Sequence, residues 1–199
     1  MEDNNKVLLV GTVDGNFVLD HEVYGEKFFK TFVNSKRASE VFDRIPILVS
    51  EKILDSSVDY DGLTVYVTGE LRSFNAIDRR LCLNVFANSL EVVDESTEHI
   101  NTIYLDGFTC KKPYYRTTPK GRLITELTLA INRRFGKSDY LPCITWGRNA
   151  SLMSKIDVGT RIVAEGRIQS REYQKALEET VETRVAYEVS ISWLQIVGE

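Results

Sequence analysis

Tyr140-Leu-Pro-Cys-Ile-Thr-Trp-Gly-Arg-Asn-Ala150 is the stretch on which the reading of this chain turns. Leu141 to Thr145 has the apolar and β-branched character of a strand. Gly147, Arg148 and the small residues behind them suit the entry to a helix. Successive strand residues face opposite sides, so Thr145 and Trp146 point to different faces and the indole is expected outside. A flat ring beside a guanidinium suits a surface that stacks on other rings next to negative charge. The stretch has a counterpart upstream. Arg44-Ile-Pro-Ile-Leu-Val-Ser50 keeps Pro46 at a spacing of 96 from Pro142 and lacks both rings.

That spacing runs through the whole chain, which reads as two repeats. Asn5-Lys-Val-Leu-Leu-Val-Gly11 falls on Asn101-Thr-Ile-Tyr-Leu-Asp-Gly107, Gly25 on Gly121 and Arg37 on Arg133, all at an offset of 96. With one residue inserted, Gly62, Gly69 and Ser73 fall on Gly159, Gly166 and Ser170. Asp94-Glu-Ser-Thr-Glu-His-Ile100 reads as a short polar linker, and the boundary is placed at 98. The repeats differ electrically. Residues 1–98 carry 10 Lys and Arg against 18 Asp and Glu, whereas residues 99–199 carry 15 against 11. The formal net charge of −4 therefore hides a basic second half, and it is the local field that a polyanion meets.

The second repeat shows the elements more clearly. Thr102–Gly107 reads as a strand and Cys110–Pro119 as a loop holding two prolines. Arg122–Arg133 alternates, with Leu123, Thr125, Leu127, Leu129 and Ile131 on one parity. Phe135–Asp139 is a turn, Tyr140–Thr145 a strand, and Asn149–Ile156 two helical turns with Asn149 as N-cap. Arg161–Arg171 is a strand with Gly166 at a bend or bulge. Glu172–Arg184 is a polar hairpin tip, and Val185–Val197 the last strand, in which Trp193 is expected to pack. Five strands with one helix between the third and fourth suit the OB-fold, a five-stranded Greek-key barrel. The expected architecture is all-β with short helices: two tandem OB-folds, at residues 1–98 and 99–199.

The ordered residues of the second repeat carry a resemblance. They are Asn101, Leu105-Asp-Gly107, Pro113, Arg116-Thr-Thr-Pro119-Lys-Gly121, Leu127-Thr-Leu-Ala130, Pro142-Cys-Ile-Thr-Trp146-Gly147, Ala150, Gly159, Glu165-Gly166-Arg-Ile168, Tyr173 and Tyr187-Glu-Val189. This set, over nearly all of 101–197, resembles bacterial single-stranded DNA-binding protein of the OB-fold type; the first repeat follows only the framework. The resemblance implies base stacking at four aromatic places, which here fall on Phe135, Tyr140, Trp146 and Tyr173. Phosphate contacts are expected from Lys111, Lys112, Arg116, Arg133, Arg134, Lys137, Arg148, Arg167 and Arg171. In the first repeat the stacking places fall on Ser39, Arg44, Ser50 and Ala76. That half is expected to be a degenerate OB-fold kept for structure or association, with Arg37, Arg44, Arg72, Arg79 and Arg80 able to guide a wrapped strand.

The expected function is non-catalytic binding of single-stranded DNA in replication, repair or recombination. An OB-fold adaptor of primosomal type and an RNA-binding OB module are the alternatives. No P-loop, GxSxG or HExxH motif is present, so no enzyme is expected. Cys82, Cys110 and Cys143 form no CxxC pair, and His21 and His99 are isolated, so neither metal nor cofactor is expected. The family commonly groups four OB-folds, which implies a homodimer or higher homo-oligomer. Its acidic C-terminal recruitment tail has no match in Gln195-Ile-Val-Gly-Glu199, so contacts with replication and repair proteins would need another surface. With no apolar run of membrane-spanning length, a cytoplasmic protein is expected, from a bacterium, phage or mobile element.

Overall fold

The computed structural model describes residues 4–176 and 181–198. Five strands fill the first half: β1 (Asn5–Val23), β2 (Glu26–Lys36), β3 (Phe42–Ser50), β4 (Thr64–Asn75) and β5 (Leu81–Val92). Antiparallel ladders join β1 to β2, β2 to β3, β1 to β4 and β4 to β5, and a short parallel ladder between β3 and β5 closes the circuit. The second half repeats the circuit with β6 (Ile100–Thr109), β8 (Leu123–Asn132), β9 (Ser138–Trp146), β10 (Arg161–Ala176) and β11 (Val181–Val197). The fold is thus the all-β, five-stranded barrel architecture expected. One strand was not foreseen. β7 (Tyr114–Thr117) lies inside the stretch read as a loop and pairs with the edge of β8. Four residues between Pro113 and Pro119 are too few to show a period, although Tyr-Tyr-Arg-Thr is good strand material.

Alternation builds the interiors. On β8, Thr125, Leu127, Leu129 and Ile131 are buried as their parity requires, whereas Leu123 at the strand's mouth is exposed. The helix α1 (Gly147–Met153) closes one end, with Ala150 and Met153 buried and the Ala150 carbonyl accepting from Thr125 Oγ1 at 2.7 Å. It starts before Asn149, whose side chain donates to the Ser192 carbonyl instead of capping. Glycine is required where the strands bend most. A Cβ on Gly69 would lie 2.2 Å from the Phe86 carbonyl oxygen, and one on Gly166 2.3 Å from that of Ser190. Beside each glycine the partner strand holds one extra residue, Asn88 on β5 and Ser192 on β11. The bulge at Ser192 reverses the facing of the residues beyond it. Ile191 points inward, and Trp193, expected to pack, is 47% exposed.

The two barrels share a seam with local two-fold symmetry. β1 and β6 pair antiparallel from Asn5↔Leu105 to Val10↔Ile100, and within this ladder Val7 pairs with Ile103, the residue related to it by the 96 offset. Where β1 leaves β4, the Asn5 carboxamide takes over the ladder: it donates to the Leu71 carbonyl at 2.8 Å and accepts the Leu71 N–H at 3.0 Å. Asn101 does the same to Ile168, at 2.6 and 2.9 Å. Farther out lie two fully buried carboxylates, Asp43 and Asp139. Asp43 accepts from Arg37 of its own barrel at 2.6 Å, and from Arg167 Nη1 at 3.2 Å and the Ser170 N–H at 2.8 Å across the seam. Asp139 accepts from Arg133 at 2.6 Å and from the Ser73 N–H of the first barrel at 2.6 Å, with Arg72 Nη1 3.8 Å away. The serines reciprocate: Ser73 Oγ accepts the Tyr140 N–H at 2.8 Å and Ser170 Oγ accepts the Arg44 N–H at 3.3 Å.

Removing either carboxylate leaves half-buried guanidinium groups and a backbone N–H of the other barrel unpaired. Asp43→Ala and Asp139→Ala are each expected to cost about 3–5 kcal/mol in urea unfolding. A loss below about 1 kcal/mol would show that the seam does not depend on them. A third polar contact titrates. His99 Nδ1 accepts the Lys36 N–H at 2.9 Å, and burial, aided by the Lys36 charge, pushes the imidazole pKa below its usual value. A depressed folded pKa means the unfolded chain takes up the proton first, so this contribution is whole above the ordinary His range and is lost as pH falls through the folded value. The melting temperature is expected to fall between pH 7.5 and about 5.5, and to fall less in His99→Asn, which keeps an acceptor but cannot titrate.

Candidate nucleic-acid interface

Strand β9 presents two surfaces. Leu141, Cys143 and Thr145 point into the barrel and are buried, while Tyr140, Pro142, Ile144 and Trp146 occupy the outer face. Tyr140 is 51% exposed and Trp146 37% exposed, six residues and therefore about 20 Å apart along the strand. Neighbouring strands set the rings. Trp146 stands opposite Ile124 on β8 and its Nε1 donates to Ser190 Oγ on β11 at 3.3 Å, which orients the indole across the face. The Tyr140 backbone is tied to Ser73, so the β4–β5 hairpin of the first barrel, which bears the exposed Phe74, lies against this strand. Tyr114 on β7 was not singled out from the sequence. It pairs with Glu126 and so shares the outer face, 62% exposed. Recognising it required knowing that β7 is a strand.

The expected phosphate contacts divide into three groups. Lys111, Lys112, Arg134, Lys137, Arg148 and Arg171 are exposed. Arg116 forks onto Glu126 Oε1 on the outer face, at 3.0 Å through Nε. Arg133 and Arg167 are engaged in the seam by Asp139 and Asp43, so a phosphate would compete there with buried carboxylates. Burial, and secondarily the neighbouring Arg37, lowers the pKa of Arg167. Neither aspartate was selected from the sequence, although the pair lies at the same 96 offset as the other matches.

Of the remaining aromatics, the Phe135 side chain lies outside the described residues, as do Glu178 and Glu179 of the hairpin tip. Tyr173 is half-buried on the β10–β11 hairpin opposite Arg184, whose pKa is raised by its hydrogen bond to Glu182 and also by Tyr173. The base of that hairpin is held to the first barrel by Ser170, three residues before Tyr173. Tyr140 and Trp146 thus share one face, while Tyr173 belongs to an arm bound to the other barrel. Cys143 is buried, which pushes its thiol pKa up, and Cys82 and Cys110 are half-buried. Among the described residues no group of three or more His, Cys, Asp or Glu is placed to hold a metal ion, and no helix is long and apolar enough to cross a membrane.

Residues 100–197, the second barrel, match the model of the single-strand binding protein family. Single-stranded DNA-binding protein 1 of Staphylococcus aureus (strain COL) is 34% identical over 82 residues, covering 38% of this chain and 49% of that protein. Single-stranded DNA-binding protein A of Bacillus subtilis (strain 168) is 29% identical over 103 residues, covering 48% of this chain and 60% of that protein. The chain spans about half the length of the curated relatives it matches. In three dimensions it is similar to the wild-type single-stranded DNA binding protein from Thermus aquaticus, with a TM-score of 0.82 over 98% of this chain and 93% of the other. At 18% identity that likeness is one of fold.

Proposed function

We propose that this chain, whose second barrel matches the single-strand binding protein family, binds single-stranded DNA without chemistry. In this reading it covers exposed strands during replication, repair or recombination. The observation that carries the proposal is the outward parity of β9, which sets two accessible rings about 20 Å apart on one sheet face of the basic half. Every base has a π-face, so such rings hold a strand with little regard to sequence, at about 1–3 kcal/mol per stacked base. The exposed Lys111, Lys112, Arg134, Lys137, Arg148 and Arg171 supply the phosphate term, which makes affinity fall with salt. The first barrel braces this face through the seam and through the hairpin held at Tyr140.

The proposal extends to assembly. On the outer side of the seam, Lys6, Tyr104, Glu165 and Trp193 form one row across β1, β6, β10 and β11, with Leu8 in the next row. An open concave face, lined by Lys6, Leu8, Tyr104 and Glu165 and with an exposed indole beside it, suits a second copy of the chain packed about a two-fold axis. Light scattering is expected to give a homodimer for the natural chain and a monomer for Trp193→Glu with Leu8→Glu; an unchanged mass would remove this face from the assembly.

Fluorescence titration of the full chain with dT oligomers, matched RNA and duplex DNA tests the function. Trp146 emission should be quenched by the dT oligomers, with Trp146→Ala or Tyr140→Ala weakening binding roughly 5- to 150-fold. Tighter binding to RNA would favour the RNA-module reading. An absence of binding to any nucleic acid would favour a protein adaptor. A Trp146→Ala, Tyr140→Ala double variant that bound dT as well as the natural chain would sink the proposed platform.

A further inference from the structure

The first barrel has lost the rings at the positions matching Tyr140 and Trp146, but its outer face is not bare. In the observed register Ser50, the match of Trp146, lies opposite Phe28, whereas Trp146 lies opposite Ile124. Leu48 pairs with Phe86 where its match Ile144 pairs with Ser190. The ring has crossed from one strand of the pair to the other. Along β2 the outward series is Phe28, Lys30, Phe32, ring then cation then ring. Its match on β8 is Ile124, Glu126, Thr128, which has no ring and one acid. The aromatic row has moved from the third strand of the barrel to the second.

The geometry of this row suits flat partners. Phe28 and Phe86 have centroids 5.8 Å apart at 40°, and His21 stacks on Phe28 at 5.0 Å and 14°. The Arg44 guanidinium lies over Phe32 with its central carbon 3.5 Å from the ring centroid, and Arg72 stands 5.8 Å from Phe86. A guanidinium laid on a ring leaves its other face for a further flat group, and the Arg44 side chain is 49% exposed. Four carboxylates border the face, and each has a partner: Asp14 pairs with Arg44, Glu70 with Arg72, Glu26 with Lys52 and Ser50, and Asp20 with His21. The face is also continuous with the other barrel. The Arg44 backbone holds Ser170 on the β10–β11 hairpin, next to the exposed Arg171 and three residues before Tyr173.

We propose that the outer face of β2, β3 and β5 is a second stacking platform, on which Phe28, Phe86 and the Arg44–Phe32 pair take unpaired bases of the same strand that the second barrel holds. The inference rests on the single-strand reading above. It assigns nucleic acid rather than an apolar protein segment to this face because cations alternate with rings along it. The strand passes from β9 to this face along the hairpin bound at Arg44.

The full chain tests this with two lengths of dT. Phe28→Leu with Phe32→Leu keeps apolar bulk, and Arg44→Ala removes the guanidinium. Variants with unchanged thermal unfolding should bind a short oligomer as the natural chain does, lose roughly tenfold or more in affinity for a long one, and occlude fewer nucleotides per chain. Undiminished short-oligomer binding in Trp146→Ala would count against the earlier reading alone, so the two failures are distinguishable. Natural affinity and occlusion for the long oligomer in these variants would overturn the second platform. Ultraviolet crosslinking of the unaltered chain to long dT gives a readout that needs no variant. Crosslinked peptides from β2 or β5 support the platform, and crosslinks confined to the second barrel overturn it.

Discussion

The pairing of β1 with β6 and the two buried carboxylates beside it govern the rest of this structure. A buried Asp is costly unless donors meet it, and here the donors come from both halves of the chain, with Asp139 Oδ2 alone left to the charge of Arg72 at 3.8 Å and no hydrogen bond. Asp43 draws on Arg37, Arg167 and Ser170; Asp139 draws on Arg133, Ser73 and the more distant Arg72. Neither half can satisfy its own aspartate alone. The seam therefore positions as well as joins: the same serines that meet the carboxylates hold the backbones of Tyr140 and Arg44. The orientation of the candidate binding strand is set by groups more than sixty residues away in the other barrel.

Much of this was legible in the sequence because it is local or repeated. The parity of Leu127, Leu129 and Ile131 identified the inner face of β8, and Pro46 with Pro142 and Gly69 with Gly166 fixed the repeat. Trp146 was placed outside by the same alternation, and it is exposed, as is Tyr140 on the same face. What stayed hidden depends on register across strands. Trp193 was assigned to packing because Ile191 and Leu194 flank it, but an extra residue at Ser192 reverses which side faces the core. Arg133 and Arg167 looked like surface cations because their partners lie across a seam that no local pattern announces.

The rings of the first barrel show the same limit differently. Comparing the repeats position by position finds Ser50 where Trp146 stands and records a loss. Residues paired across strands share a face, so a ring on β2 or β5 can serve the surface that a ring on β9 serves in the other barrel. Phe28 and Phe86 were visible in the sequence throughout; the neighbours that give them meaning appear only once the ladders are known.

The symmetry at Val7 and Ile103 has an evolutionary consequence. Two separate identical chains meeting about such an axis must present the same residue twice, and any change is made on both sides at once. Carrying both halves on one chain lifts that constraint, and it fixes their local concentration so that dilution cannot part them. The seam then keeps its paired asparagines and aspartates, where symmetry is structurally demanded, while the outer faces are free to differ. Glu70 in one barrel and Arg167 in the other hold matching places in the register, with opposite charge. Such a chain can bind a polymer that has a direction, because its two ends are not alike.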